Sequence, residues 1–101
     1  MSIETNLSPD GTFVTLVIPT RFDISLYKTF GESYQPYIGK VLHFNIDLSQ
    51  TNYIDSSALG MLLMLRERAG GEKATIVLQQ ANSTIREAFK ITHMGTLFRI
   101  E

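Results

Sequence analysis

The chain contains no cysteine. That excludes a disulfide framework, a thiolate nucleophile and any cysteine-ligated metal centre. An excess of either charge is also missing: nine Lys and Arg stand against ten Asp and Glu, a net charge of −1. Binding to nucleic acid or to an anionic membrane surface through charge needs a basic patch, and this balance supplies none. Long apolar runs are absent as well. The longest, Met61 to Leu65, falls far short of the roughly 20 residues that a membrane-spanning helix needs. The N-terminus lacks a basic segment followed by an apolar one, so no secretory signal is expected. These absences predict a cytoplasmic protein with neither nucleic acid nor membrane as a partner.

The motifs of common enzyme chemistries are missing too. There is no HExxH pair and no Cys/His cluster, which leaves zinc without ligands. His43 falls inside an apolar strand pattern and His93 follows a helix end, both ordinary structural positions. Ser56 and Ser57 lack the flanking glycines of a nucleophile elbow. Gly70-Gly71 follows a helix, whereas a phosphate cradle precedes one. The expectation is no enzyme, no metal and no cofactor.

What is present is a small α/β domain. With 101 residues and 44% apolar content, residues 1–101 can bury one core. Ile3–Leu7 and Thr12–Ile18 read as strands, joined by the turn Ser8-Pro9-Asp10-Gly11. Asp23 is placed to cap a helix that starts at Ile24 or Ser25, carries Leu26, Phe30 and Tyr34 at helical spacing, and ends by Pro36 and Gly39. Val41–Leu48 is nearly continuously apolar, the mark of a central strand. A helix over Ser57–Ala69 stops at Gly70-Gly71. Thr75–Leu78 reads as a buried strand. Ala81-Asn82-Ser83-Thr84 caps a last helix with Ile85, Ala88, Phe89 and Thr92 on one face. Leu97–Ile100 reads as a short closing strand. The predicted order is ββαβαβα plus a terminal strand: a mixed central sheet packed by helices, without internal repeats.

The stretch Asn52-Tyr53-Ile54-Asp55-Ser56-Ser57-Ala58-Leu59-Gly60 sits where the central strand hands over to a helix. Asp and Ser are the preferred N-cap residues, and local chemistry alone favours capping as their job. Three considerations point further. A cap needs one residue, and three candidates stand in a row. A serine at such a turn is open to a modifying enzyme. A phosphate there would add about −1.5 to −2 charges at a helix N-terminus, where the dipole tolerates it, while Asp55 and Asp23 would repel it. The following helix adds a clue: Leu59, Met61, Leu62, Leu63, Met64 and Leu65 give more apolar residues than one buried stripe requires. Either these are all core, or some form an adaptable contact surface beside Ser56, with Met61 and Met64 suited to it.

Asp47-Leu48-Ser49 followed by Tyr53-Ile54-Asp55-Ser56-Ser57-Ala58-Leu59-Gly60 resembles a STAS domain of the bacterial anti-sigma factor antagonist type. Phe22-Asp23 and the segment Ala81–Phe89, followed by Gly95 and Leu97-Phe98, extend the resemblance over the chain. Two positions depart from that pattern: Ala58 and Thr20 stand where glycine is usual. The resemblance implies a STAS-like fold and a partner-switching function. Ser56 would be the phosphoacceptor for a GHKL-type serine kinase that is also the anti-sigma factor, and a PP2C-type phosphatase would restore it. The unphosphorylated form would bind the kinase. Asp55 would orient the turn, Ser57 would cap the helix, and Asp23 would line the same edge; Ala58, Leu59, Met61 and Met64 would form the surrounding surface. The rival readings are a constitutive adaptor or ligand-binding STAS subunit, in which Ser56 is only a cap, and an enzyme, which nothing beyond the serine itself motivates.

Overall fold

The computed structural model describes residues 2–101. The first two strands, β1 (Glu4–Leu7) and β2 (Phe13–Val17), pair antiparallel. Their connection is held from within. The Ser8 hydroxyl accepts from the N–H groups of Thr12 and Phe13 at 3.0 and 3.1 Å, and donates to Asp10 at 2.7 Å. Gly11 sits at φ +74°, a conformation that costs glycine little and other residues much. The hairpin expected around Pro9-Asp10-Gly11 is therefore present.

After β2 come a two-residue strand β3 (Arg21–Phe22), a 3₁₀ turn (Ile24–Leu26) and helix α1 (Tyr27–Tyr34). Strand β4 (His43–Asp47) follows, then a second two-residue strand β5 (Tyr53–Ile54) and helix α2 (Ser56–Ala69). The chain closes with β6 (Thr75–Gln79), α3 (Ser83–Ile91) and β7 (Arg99–Ile100). The main sheet runs β1-β2-β4-β6-β7, all parallel from β2 onward, and β3 pairs with β5 in a small parallel sheet of its own.

This order fixes where the helices lie. Each crossover from β2 steps the chain one strand further in the same direction. A right-handed crossover, the near-universal form, then places all three helices on one face. The residues agree. Val14, Phe44 and Ile76 are register partners, as are Leu16, Ile46 and Leu78, and all six are buried. Leu26, Phe30 and Tyr34 from the first helical segment, Leu62 and Leu65 from α2, and Ile85 and Phe89 from α3 complete that core. On the opposite face Thr15, His43, Asn45, Asp47 and Gln79 are half-buried and mostly polar, as expected of a sheet with one covered side.

Four sequence expectations need correction. The central strand is His43–Asp47, shorter than Val41–Leu48. Val41 is buried before it begins, and Leu42 is exposed outside it. The helix expected at Ile24 begins as a 3₁₀ turn and becomes α-helical only at Tyr27. Thr92 is not part of an apolar face. It lies beyond the end of α3, exposed, with its hydroxyl donating to the Ala88 carbonyl at 2.7 Å. The terminal strand is only Arg99–Ile100, because residues 94–96 form another 3₁₀ turn.

Phe44 sits on the central strand with no solvent exposure. Phe44→Ala is expected to lower stability by about 3–5 kcal/mol, the cost of a large cavity under the helices. Urea denaturation followed by circular dichroism measures it.

Candidate functional site

The small β3–β5 sheet is the frame of the site. It forms because the exits from β2 and β4 are tied together. The Thr51 hydroxyl is buried and lies 3.2 and 3.0 Å from the carbonyl oxygens of Ile18 and Pro19. The Thr20 carbonyl accepts from the N–H groups of Asn52 and Tyr53 at 2.8 and 3.2 Å. Arg21 then pairs with Tyr53, and Phe22 with Ile54. One register step further, both chains reach an aspartate, Asp23 and Asp55. The Arg21 guanidinium lies 4.1 Å from the centre of the Tyr53 ring and 3.2 Å from an Asp23 carboxylate oxygen, tying the two strands together on the outside.

Both aspartates do the same thing. Each has an extended backbone, with φ −141° for Asp23 and −131° for Asp55, and each caps the turn that follows. Asp23 Oδ1 accepts from the backbone N–H of Ser25 at 3.0 Å and from its hydroxyl at 2.5 Å. Asp55 Oδ1 accepts from the backbone N–H of Ser57 at 3.1 Å, from its hydroxyl at 2.6 Å and from the N–H of Ala58 at 3.2 Å. Phe22-Asp23-Ile24-Ser25 and Ile54-Asp55-Ser56-Ser57 are thus two copies of one local device, a repetition that the sequence pattern did not reveal. They differ in the apolar residue before the aspartate, Phe22 against Ile54, and in the residue after it: Ile24 in the first copy, Ser56 in the second.

The two serines of the turn consequently have different surroundings. Ser57 is half-buried, and its hydroxyl is committed to Asp55. Ser57 is not the cap, contrary to the expectation; the cap is Asp55, whose longer reach lets one carboxylate serve two backbone donors and a hydroxyl at once. Ser56 is the first residue of α2. It is exposed, and among the described residues its hydroxyl bonds to nothing in the chain. Ala58 is fully buried, so the small side chain at this position is a packing requirement.

The apolar excess of α2 splits as the helical phase dictates. Leu62, Leu65 and Ala58 face the core. So does Met61, only 4% exposed; its assignment to the contact surface is corrected, since its position directs it under α1. Leu59 and Met64 are half-buried at the margin. Leu63, 41% exposed, is the apolar residue on the open face, and it was not singled out from the sequence. The open stripe of α2 is Ser56, Gly60, Leu63 and Glu67. Beside α2, Tyr27 brings its hydroxyl to 3.9 Å from the Met64 sulfur, and Ile24 and Tyr27 are themselves 64% and 49% exposed. Two full turns of α2 beyond Ser56 are therefore bordered by apolar side chains.

The charge around the turn is negative. Asp23 and Asp55 contribute two carboxylates at adjacent strand ends, and Arg21 offsets one of them. The Ser25 hydroxyl bond, followed by the Ser25 N–H and the Arg21 pairing, holds the Asp23 carboxyl below its usual 3.8. Among the described residues no group of three or more His, Cys, Asp or Glu could hold a metal ion. No helix there is long and apolar enough to cross a membrane. A cavity of about 600 Å³ lies elsewhere, along α3 and the 3₁₀ turn after it, and shares no residue with the Ser56 turn.

Comparison with known proteins agrees with this architecture. The anti-sigma factor antagonist SpoIIAA in its unphosphorylated form superposes with a TM-score of 0.72, at 15% identity over 89% of this chain and 83% of that one. The phosphorylated form of the Bacillus cell fate determinant SpoIIAA gives 0.75 at 15% identity, over 99% and 91%. The fold is therefore that of the anti-sigma factor antagonists. A family profile described as "Mlab, STAS domain" matches residues 7–99. A STAS-domain containing protein of Pseudomonas aeruginosa (strain UCBPP-PA14) is 38% identical over 100 residues, which are 99% of each chain. The chain belongs to the STAS domain family.

Two outcomes follow from this geometry. Asp55→Ala is expected to cost about 1 kcal/mol, the usual loss of an N-cap, while Ser56→Ala stays within about 0.5 kcal/mol of the parent; thermal denaturation compares them. The Asp23 carboxyl should titrate below 3.8 by NMR, and Ser25→Ala should move it upward. Because the folded value is the lower one, this cap's contribution is complete above the unfolded value and is lost as pH falls through the folded one.

Proposed function

We propose that the protein is a phosphorylation-controlled partner switch of the anti-sigma factor antagonist kind, with Ser56 as the acceptor. The observation that carries this reading is the contrast between the two serines: Ser57 has its hydroxyl bound by the cap, and Ser56 leaves its own exposed and unbonded. A kinase that transfers phosphate to this turn meets one available nucleophile. Unphosphorylated, the turn and the stripe beyond it offer Leu63, Leu59, Met64 and Tyr27 to a partner. Phosphorylated, Ser56 places about two negative charges beside Asp55, at the edge of that apolar surface. A partner would have to desolvate the dianion to keep its contacts, and that cost releases it. The helix keeps its fold, because added negative charge at an N-terminus accords with the helix dipole.

The partners in this reading are a GHKL-type serine kinase acting as anti-sigma factor and a PP2C-type phosphatase, meeting the protein in the cytoplasm. The protein itself contributes the acceptor and the docking face, with no catalytic residue. A second reading, a constitutive STAS subunit that binds a ligand, draws on the cavity along α3, whose 600 Å³ falls in the range of small-molecule sites.

Incubation with the cognate kinase and ATP should label Ser56 alone, and Ser56→Ala should abolish labelling while retaining kinase binding. Ser56→Asp should weaken that binding with the unfolding free energy changed by no more than about 0.5 kcal/mol. Label persisting in Ser56→Ala refutes the acceptor. Unchanged binding by Ser56→Asp transfers the weight to the constitutive reading.

A further inference from the structure

Helix α3 carries a basic row that the fold itself does not use. Ser83, Arg86 and Lys90 are spaced by three and four residues, which puts them on one side of the helix, and His93 lies just past its end. Two like charges four residues apart weaken a helix slightly. Lys90 stands in the last turn, where the helix dipole favours a cation, but Arg86 lies a turn earlier and gains little from it. Among the described residues neither forms an ion pair; the pairs are Arg21 with Asp23 and Arg99 with Glu101. Glu87 shares the same side of α3 and still pairs with neither.

His93 is held against backbone preference. It follows the α3 C-cap Thr92 with φ +57° and ψ +33°, the left-handed conformation that helix ends usually give to glycine. After α2 the matching position is Gly71, at φ +61°. A side chain in this conformation costs energy that glycine avoids. What histidine adds at position 93 is an exposed imidazole beside Arg86 and Lys90.

These three side chains line the cavity of about 600 Å³ between α3 and the segment after it. Its inner wall is apolar: Phe89 is fully buried and Ile100 half-buried. Ile100 belongs to β7, the edge of the main sheet, so no further strand closes the cavity on that side. A bare anion would leave the apolar wall unused, and a neutral apolar ligand would leave the cations unpaired. With neutral His93, Arg86 and Lys90 against Glu87 leave one net positive charge at the rim. That matches a single carboxylate better than a doubly charged phosphate.

We propose that this cavity binds a small amphipathic carboxylate. Arg86 and Lys90 hold its carboxylate, His93 donates a hydrogen bond to it, and its apolar body lies against Phe89 and Ile100. The cavity shares no residue with the Ser56 turn, so the site operates whether or not Ser56 carries a phosphate. This inference rests on the ligand-binding reading above and names its ligand class.

Octanoate is the probe, titrated over the millimolar range into the isotope-labelled full chain and followed by NMR. It should shift the amide resonances of Arg86, Lys90, His93 and Thr96 and leave those of Ser56 and Leu63 in place. Octanol and inorganic phosphate, each carrying half of the required chemistry, should bind at least about tenfold more weakly. Replacing both cations, Arg86→Ala with Lys90→Ala, should weaken octanoate by about tenfold or more. His93→Gly should also weaken it without lowering the melting temperature. Octanol binding as well as octanoate, or octanoate indifferent to loss of both cations, overturns the carboxylate. Phosphate binding as well as octanoate overturns the apolar body. In those cases the cavity still takes a ligand, and the ligand-binding reading stands. A fall in melting temperature in His93→Gly gives the imidazole a structural role and removes it from the site. No shift at this cavity with any of the three probes overturns the ligand-binding reading, and this inference with it.

Discussion

The structure around the site depends on one carboxylate. Asp55 Oδ1 takes the N–H groups of the second and third residues of α2, Ser57 and Ala58, and the Ser57 hydroxyl in a single set of bonds. Helix starts leave backbone donors without partners, and something must satisfy them. Because Asp55 does so alone, neither serine is needed as the cap. One serine is drawn into the set and held; the other is left outside it. The free hydroxyl of Ser56 is a by-product of how completely its neighbour does the capping.

That division needs a rigid base, and the crossed connections supply it. Thr51 lies buried beneath the turn with its hydroxyl between two carbonyl oxygens of the β2 exit, and Thr20 binds the backbone on the other side. The paired two-residue strands then deliver Asp23 and Asp55 at the same level. In the proposed switch, a charge introduced at Ser56 acts beside a turn that these bonds hold. Regulation by electrostatics and occlusion, with the fold unchanged, is the form of control this construction permits. The exposed Leu63 and the half-buried Leu59 and Met64 provide a surface that such a charge can close.

Much of this was legible in the sequence, for physical reasons. The hairpin turn, the Asp23 cap, the buried strands and the glycine stop after α2 are local chemistry, and each appears where its residues demand. The resemblance carried the family. What was not legible depended on contacts distant in sequence. Arg21–Phe22 and Tyr53–Ile54 are too short for any periodicity; they are strands only because they meet each other. Three adjacent capping residues cannot be ranked by type alone, so Ser57 was given the job that the backbone geometry assigns to Asp55. Six apolar residues in seven positions leave the phase of α2 undetermined, which is why Met61 was placed on the surface and Leu63 overlooked. The buried Thr51, a polar residue holding the frame, carried no local signal.

The central claim is that Ser56 carries a reversible phosphate in the living cell. Intact mass spectrometry of the protein purified from its native host, followed by peptide mapping, tests it most directly. The account predicts two populations differing by one phosphate, their ratio changing with growth conditions, and the modification located on Ser56. A single unmodified population under every condition, or a phosphate on any other residue, would contradict it.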